Sequence, residues 1–198
     1  MRKMYLSAPL PFVGQKRMFA KEFMKVLEQY PDGTLFVDLF GGSGLLSHIT
    51  KSLKPHSTVI YNDFDNYRFR MKHIPQTNQL LADIREMVGN SVPRHKIIKG
   101  ELRERIFSRI EQEENSTGYV DFITLSSSIL FSMKYKLSVQ DMRKEALYNN
   151  IRKTGYPECT DYLEGLEIVS CDYKEVFNRY KDIPGVVFLL IRPICPLT

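Results

Sequence analysis

A glycine-rich turn and a later acidic residue are the parts of this sequence whose types and spacing could do chemistry. Gly41, Gly42 and Gly44 follow a run of apolar residues, and Asp63 lies about twenty residues beyond them. Glycines at the end of a buried strand let a ligand approach the backbone, and an acid at the end of the next strand accepts hydrogen bonds from ribose hydroxyls. The pattern predicts a site for an adenosine-containing cofactor. The alternative is a tight strand-to-helix turn without a ligand.

One position of the turn narrows the class of cofactor. A dinucleotide site typically carries G-x-G-x-x-G or G-x-G-x-x-A, whereas the corresponding segment, Gly42–Ser47, ends in serine. A nicotinamide-dependent oxidoreductase is therefore the least favoured of the functions that the turn allows.

The elements that must position these residues are a strand, a helix and a second strand. Thr34–Phe40 is almost continuously apolar, which is typical of a strand buried on both faces of a parallel sheet. Leu45–Leu53 is predicted to be a helix and Thr58–Tyr61 a strand, so the three segments form a βαβ unit. Upstream, the spacing of apolar residues predicts an amphipathic helix over Gln15–Tyr30.

The middle of the chain interrupts this pattern. Residues 69–165 are predicted to be mostly helical, after which a strand at Leu166–Ser170, a helix at Lys174–Tyr180 and a central buried strand at Gly185–Ile191 resume it. We therefore expect an α/β fold with a Rossmann-like sheet in three parts: residues 1–68, a helical insertion at 69–165, and a return to the sheet at 166–198.

Composition and charge restrict the class of protein further. The 198 residues are 43% hydrophobic and 26% charged, which excludes a disordered or collagen-like chain. The three cysteines (Cys159, Cys171 and Cys195) are widely spaced, so they indicate neither a metal site nor a disulfide framework. No signal peptide and no membrane-spanning apolar run is recognisable, and we expect a cytoplasmic protein.

The basic residues are concentrated in the insertion. The net charge is +5, and Arg94–Lys153 contains twelve Lys and Arg against eight Asp and Glu. This excess is compatible with a polyanionic partner, and an ordinary solvated surface is the alternative.

Four segments resemble, in order and spacing, the motifs of the Dam-like, alpha-group N6-adenine DNA methyltransferases. Asp38–Gly44 (DLFGGSG) is similar to the (D/E)-P-F-x-G-x-G motif, and Pro11–Arg17 (PFVGQKR) to the N-terminal W/Y-x-G-G-K-R motif. Tyr61–Asp65 (YNDFD) resembles the acidic motif of the second strand, and Val169–Tyr173 (VSCDY) the segment before the catalytic strand. Leu39 and Gln15 depart from the family's proline and glycine.

The resemblance covers about residues 9–66 and 167–190 and implies a function. It implies a Rossmann-like methyltransferase sheet with a DNA-recognition insertion, S-adenosylmethionine as cofactor, adenine in double-stranded DNA as methyl acceptor, a monomer and no metal. It leaves open whether a restriction endonuclease accompanies the protein. Carried over by position, nine residues are implied at the cofactor site: Phe12, Lys16, Asp38, Phe40, Gly42, Gly44, Asp63, Phe64 and Asp172.

The resemblance also implies a role for most of these residues. Phe12 is expected beside the cofactor, and Lys16 is expected to reach the site as a cationic donor. The glycine turn is expected under the methionine moiety. Asp63 is expected to hold the ribose, while Phe64 flanks the adenine ring. For Asp172, the cap of the following helix is an equal alternative.

The family's catalytic Asp-Pro-Pro-Tyr is absent from the place where it is expected. Ile191, Arg192, Pro193 and Ile194 stand there instead. Codons for these residues exist that read Asp-Pro-Pro-Tyr when shifted by one base. We therefore hypothesise a frameshift near Leu190, which leaves Ile191–Thr198 as an out-of-frame tail, an incomplete sheet and an inactive chain. A divergent natural C-terminus is the alternative.

The leading function is thus site-specific adenine-N6 methylation of DNA, in a chain that lacks the catalytic residues. A methyltransferase that acts on RNA or another substrate is the second hypothesis. A non-catalytic DNA-binding remnant is the third, and the basic insertion is the feature that motivates it.

Overall fold

A computed structural model describes residues 3–14, 16–131 and 134–190 of the chain. A turn of 3-10 helix at Lys16–Phe19 precedes the first α-helix. The α-helices of the described residues are α1 (Ala20–Leu27), α2 (Leu45–Leu53), α3 (Tyr67–Lys72), α4 (Ile74–Val88), α5 (Gly100–Thr117), α6 (Phe122–Ile129), α7 (Val139–Arg143) and α8 (Tyr173–Tyr180). The strands are β1 (Phe36–Asp38), β2 (Val59–Asn62), β3 (Ile97–Ile98), β4 (Leu147–Tyr148), β5 (Glu167–Val169) and β6 (Val187–Leu189).

Four of these strands form a parallel sheet in the order β5-β2-β1-β6. Phe36 of β1 pairs with Val59 of β2 on one side and with Val187 of β6 on the other. The chain moves outward from β1 through β2 to β5 and then returns to the opposite side of β1. The boundary between β1 and β6 is therefore a topological switch point, where open α/β sheets bind ligands at the carboxyl ends of the strands. This parallel sheet fits the Rossmann-like fold that the sequence predicts.

Apolar side chains cover both faces of the sheet. Successive residues of a strand point to opposite faces, so Phe36 packs into one core with α1 and α2, and Val37 packs into another. Leu46 and Ile49 of α2 are fully buried in the first core, and Val176 of α8 is fully buried in the second. Helices on both faces explain why β1 reads as a continuous apolar run.

The chain divides into two compact units, and the second spans Lys72–Glu158. The first contains the sheet and the rest of the described chain. These bounds differ from the expected 69–165. Arg70 donates a hydrogen bond to the Pro11 carbonyl (2.8 Å), and the Tyr162 ring stacks on His48 at 4.7 Å between centroids. Residues near both ends of the expected insertion are therefore held by the sheet unit.

The second unit is built mainly on α4 and α5, which pack through buried residues such as Leu81, Ile84, Ile106 and Ile110. It also contains a two-stranded antiparallel pair, in which Ile98 of β3 faces Leu147 of β4. The expectation of a mostly helical segment is right for α4 to α7 but omits this pair and the irregular stretch that follows it. No helix of the described residues is long and apolar enough to cross a membrane.

Two predicted elements have different limits or positions in the structure. Of the helix predicted over Gln15–Tyr30, Gln15 lies outside the described residues, Lys16–Phe19 is the 3-10 turn and only Ala20–Leu27 is α-helical. After α1, the amides of Gln29 and Tyr30 bond three residues back instead of four, which tightens the end. The strand predicted as central lies at the edge of the described sheet, where β6 pairs with β1 alone, and Val187 and Phe188 are only half-buried. An apolar run does not reveal how many partners a strand has.

Candidate cofactor site

Three side chains that are distant in sequence donate hydrogen bonds to the turn between β1 and α2, on the side that faces the protein interior. Lys16 Nζ donates to the carbonyl of Phe40 at 2.6 Å. The Tyr61 hydroxyl donates to the carbonyl of Gly42 at 2.7 Å. The Tyr162 hydroxyl donates to the next carbonyl, that of Ser43, at 3.1 Å. Three carbonyls within four residues are thus turned into the protein.

The amides of Gly41 and Ser43 are among the backbone donors of this turn that have no partner in the described residues. Because C=O and N–H point in opposite directions across a trans peptide, the amides of Gly41 and Ser43 face away from the side chains that hold Phe40 O and Gly42 O. Neither amide donates to another described residue. Successive free amides of this kind form a concavity that binds anions.

Glycine is required in this turn for steric reasons. Gly42 and Gly44 have positive φ angles of 52° and 71°. A Cβ on Gly42 would lie 2.9 Å from Cε1 of Phe12, so the Phe12 ring packs directly on the turn. A Cβ on Gly41 would lie 2.3 Å from Cε2 of Tyr61. Gly41, which the motif comparison does not single out, is therefore the most tightly enclosed of the three.

Lys16 and Asp38 are both buried beneath the turn. Asp38 is fully enclosed at the end of β1, where its Oδ2 accepts a hydrogen bond from Ser47 at 2.8 Å and its Oδ1 has no partner among the described residues. Burial raises the pKa of Asp38, and the positive charge of Lys16 opposes that rise. Asp38 has no surface left for a ligand. Its structural role is to tie β1 to α2 and to face Lys16.

The Asp63 carboxylate is largely committed to the start of α3. Its Oδ1 accepts from the Tyr67 amide (2.6 Å) and shares the single hydroxyl proton of Tyr61 (3.0 Å) with the Gly42 carbonyl, and its Oδ2 accepts from the Arg68 amide (3.0 Å). Burial raises the pKa of Asp63, while the two amides oppose the rise. An ionised carboxylate accepts about four hydrogen bonds, so Asp63 retains room for one from a ligand.

Two neighbours of Asp63 are exposed at the same end of the sheet. The Phe64 side chain is 66% exposed, which is unusual for an aromatic ring and leaves it available for stacking. Asp65 is also exposed at the surface, although neighbouring atoms partly cover its carboxyl group. This partial desolvation, together with the nearby charge of Asp63, raises the pKa of Asp65. The sequence indicated Asp65 only as the last residue of its motif, because strand-end spacing does not distinguish two acids that are two residues apart.

Asp172 caps α8: its Oδ1 accepts from the Lys174 amide at 2.8 Å. The capping alternative is therefore present in the structure, and the cofactor role of this exposed residue stays a prediction.

Beside α8 lies an open apolar depression of about 380 Å³ at the carboxyl ends of β1 and β6. It is lined by Leu39, Phe40, Tyr173, Lys174, Phe177, Asn178 and Leu190. The rings of Phe40 and Tyr173 lie 5.1 Å apart between centroids. The volume is within the range of small-molecule sites, and the position is the switch point of the sheet.

The residues expected at the catalytic position, Ile191 to Ile194, lie outside the described residues. In the described ranges, no group of His, Cys, Asp and Glu side chains could hold a metal ion. The donor set that is present fits an adenosine-type cofactor, because two free amides, acids with spare acceptor capacity and an exposed ring lie at one end of the sheet.

Comparison with known proteins supports the methyltransferase resemblance. No protein-family model matches the chain. The chain is 39% identical over 196 residues to the Haemophilus influenzae (strain Rd) protein named "Putative methyltransferase". The match includes 97% of this chain, which spans 65% of the length of that relative. The relative's name supports methyl transfer in general and does not specify a substrate.

Proposed function

We propose that this chain binds S-adenosylmethionine and belongs to a methyltransferase that acts on N6 of adenine in double-stranded DNA. The observation that carries the proposal is the glycine turn, whose carbonyls are held by Lys16, Tyr61 and Tyr162 while the amides of Gly41 and Ser43 stay free. Such a turn suits the carboxylate of an amino-acid moiety. The cofactor would supply an electrophilic methyl group on a sulfonium centre.

The described residues hold and orient this cofactor. The free amides of the turn face its anionic end, while Lys16 holds the Phe40 carbonyl on the opposite side of the turn and contributes its positive charge from there. Asp65 accepts from the ribose hydroxyls together with the remaining acceptor site of Asp63. Phe64 stacks on the adenine ring. DNA as the methyl acceptor rests on the four motifs and on the basic charge of the insertion.

The absence of Asp-Pro-Pro-Tyr leads us to propose that this chain binds the cofactor without turnover. The exocyclic amine of adenine is a weak nucleophile that requires a carboxylate and a carbonyl to align it. In an assay with tritiated methyl donor, we expect no transfer to DNA, RNA or protein, but a measurable dissociation constant for the cofactor by calorimetry. Robust transfer to RNA alone would replace DNA as the substrate, and absence of binding would refute the proposal.

Two matched variants test the placement of the ribose. Asp65→Asn is expected to weaken cofactor binding about tenfold, the effect of one charge-assisted hydrogen bond, and to leave the free energy of unfolding unchanged. Asp63→Asn is expected to lower both, because the wild-type carboxylate also caps α3. Equal cofactor affinity in wild type and Asp65→Asn would remove Asp65 from the site.

A further inference from the structure

The second unit presents four exposed cationic side chains and one exposed histidine around its strand pair. Arg94, His95 and Lys96 precede β3, and Arg152 and Lys153 follow β4; all five are exposed. We call these five residues the basic platform. They come together because β3 and β4 are antiparallel neighbours, although 55 residues of sequence separate His95 from Asn150, its hydrogen-bond partner (2.9 Å).

The backbone of the platform is fixed on the β3 side. The amide of His95 donates to the Asn149 carbonyl, and the amide of Asn149 donates to the Lys96 carbonyl, each at 2.9 Å. The Asn149 side chain donates to the Val92 carbonyl at 2.7 Å. These bonds extend the pairing of β3 and β4 beyond the strands themselves.

Side chains hold the segment that follows β4, which contains no helix or strand before β5. Arg85 Nε donates to the Arg152 carbonyl at 2.8 Å, and the Arg152 guanidinium lies 4.4 Å from the centroid of the Tyr156 ring. Asn78 exchanges two hydrogen bonds with the backbone of Tyr156, at 2.7 and 2.8 Å. A Cβ on Gly155 would lie 2.9 Å from Asn78, so this close approach requires glycine. The irregular segment is therefore positioned and not merely a loose connection.

The platform residues belong to the basic side chains of the unit that form no ion pair among the described residues. Six of the twelve Lys and Arg between residues 94 and 153 form ion pairs with acids: Arg103, Arg109, Lys134, Lys136, Arg143 and Lys144. Of the other six, four belong to the platform. No ion pair among the described residues includes a platform residue. The nearest acids along the chain on either side of the platform segments, Glu101 and Glu158, are exposed and form no ion pair with it.

We propose that the basic platform binds the backbone phosphates of double-stranded DNA; the choice of DNA rests on the function proposed above. Exposed cations without acidic partners attract a polyanion most effectively, because nothing within the protein neutralises them. The two arginines add planar guanidinium groups that can bind a phosphate through two hydrogen bonds. Because the backbone is already fixed, binding does not have to order it, and this lowers the entropic cost of association. The platform would supply affinity and orientation, but no base recognition.

The test compares two triple variants of the full chain in binding to a fluorescent 20-base-pair duplex without cofactor. The platform variant is Lys96→Gln/Arg152→Gln/Lys153→Gln. The control variant, Lys21→Gln/Lys144→Gln/Lys181→Gln, removes the same charge from exposed positions elsewhere. Three lost phosphate contacts should reduce the slope of log K against log salt by about 2.7, at about 0.9 per contact. The control should retain the wild-type slope.

Two further measurements keep the outcomes distinct. Urea unfolding of both triple variants separates lost DNA binding from lost folding. The double variant Lys96→Gln/Lys153→Gln, which retains Arg152, should reduce the slope of log K against log salt by about 1.8. Equal weakening by the control, or equally good competition by polyglutamate or by a single-stranded RNA, would overturn the proposal. Cofactor affinity is measured separately, so failure of cofactor binding with intact DNA binding refutes only the function proposed above.

Discussion

Gly41→Ala tests whether the glycine turn is as closely packed as the structure indicates. The new Cβ would lie 2.3 and 2.4 Å from two ring carbons of Tyr61 and 2.7 Å from the Asn62 carbonyl oxygen. Tyr61 is fully buried, and its hydroxyl is held by Gly42 and Asp63, so the ring has little freedom to move. The Asn62 carbonyl belongs to β2, which moves only with the sheet.

The magnitude follows from these contacts. Overpacking of a well-packed core costs about 1–3 kcal/mol, occasionally more, and contacts below 3 Å with a fixed ring and a strand place this variant at about 3 kcal/mol. The lower entropy of alanine in the unfolded chain offsets about 0.4–1 kcal/mol. We therefore expect a loss of about 2–3 kcal/mol in the free energy of unfolding. Cofactor affinity should fall at least tenfold, because the free amides move with the turn.

The assay is urea unfolding followed by circular dichroism, with calorimetry for the cofactor. Gly33→Ala is the control, since its φ of 96° strains alanine but no atom lies within 4 Å of the new Cβ. It should cost about 1–2 kcal/mol and leave cofactor affinity unchanged. In a Tyr61→Leu background, Gly41→Ala should cost less than in the wild type, because only the Asn62 contact remains. A wild-type unfolding free energy for Gly41→Ala would refute the packing described for the turn.

Three further variants examine the site. Phe64→Ala should weaken cofactor binding about 2–10-fold by calorimetry, since a stacked ring contributes about 0.5–1.5 kcal/mol. It should change the free energy of unfolding by less than about 0.5 kcal/mol. In the control Met18→Ala, at a side chain that is still more exposed, neither quantity should change. Asp172→Ala should lower the unfolding free energy by about 1 kcal/mol in urea through loss of the α8 cap, whereas Asp182→Ala, at an exposed position without a cap, should not. Burial raises the pKa of Asp38 in the folded protein, so its contribution to stability is complete below the ordinary carboxyl pKa of about 3.9 and declines as the pH rises through the higher folded value. In urea unfolding, the stability advantage of wild type over Asp38→Asn should therefore shrink over that pH range. An advantage that grows with pH would contradict the direction of the pKa shift.

The local pattern of the sequence was sufficient for the βαβ unit. The helix predicted at Leu45–Leu53 coincides with α2, and the predicted strands contain β1 and all but the last residue of β2. These segments are strongly apolar and bounded by Gly, Pro and Asp, so their type and their ends are both encoded nearby. The four-strand order did not follow from this pattern, since the strand predicted as central, β6, lies at the edge of the described sheet.

Partners that are distant in sequence were beyond that pattern. The sequence shows an acid at the end of β2. It does not show that three acceptor sites of Asp63 are occupied by Tyr61 and by the first turn of α3. It shows twelve Lys and Arg between residues 94 and 153, but not which of them form ion pairs. The β3–β4 pair was missed for a similar reason, since two-residue strands such as Ile97–Ile98 carry no readable period.

The identity of the groups that hold the glycine turn explains why three of the four motifs occur together. Lys16 lies in the N-terminal motif, Phe40 and Gly42 lie in the glycine motif, and Tyr61 opens the acidic motif. The hydrogen bonds from Lys16 and Tyr61 to the turn therefore connect three motifs directly. Removing the Lys16 or the Tyr61 donor leaves a carbonyl of the turn unsatisfied, at a cost of about 1–3 kcal/mol, and releases the amide orientation that the proposed cofactor binding requires. The motifs act as one structural unit, and their order in the sequence reflects that unit.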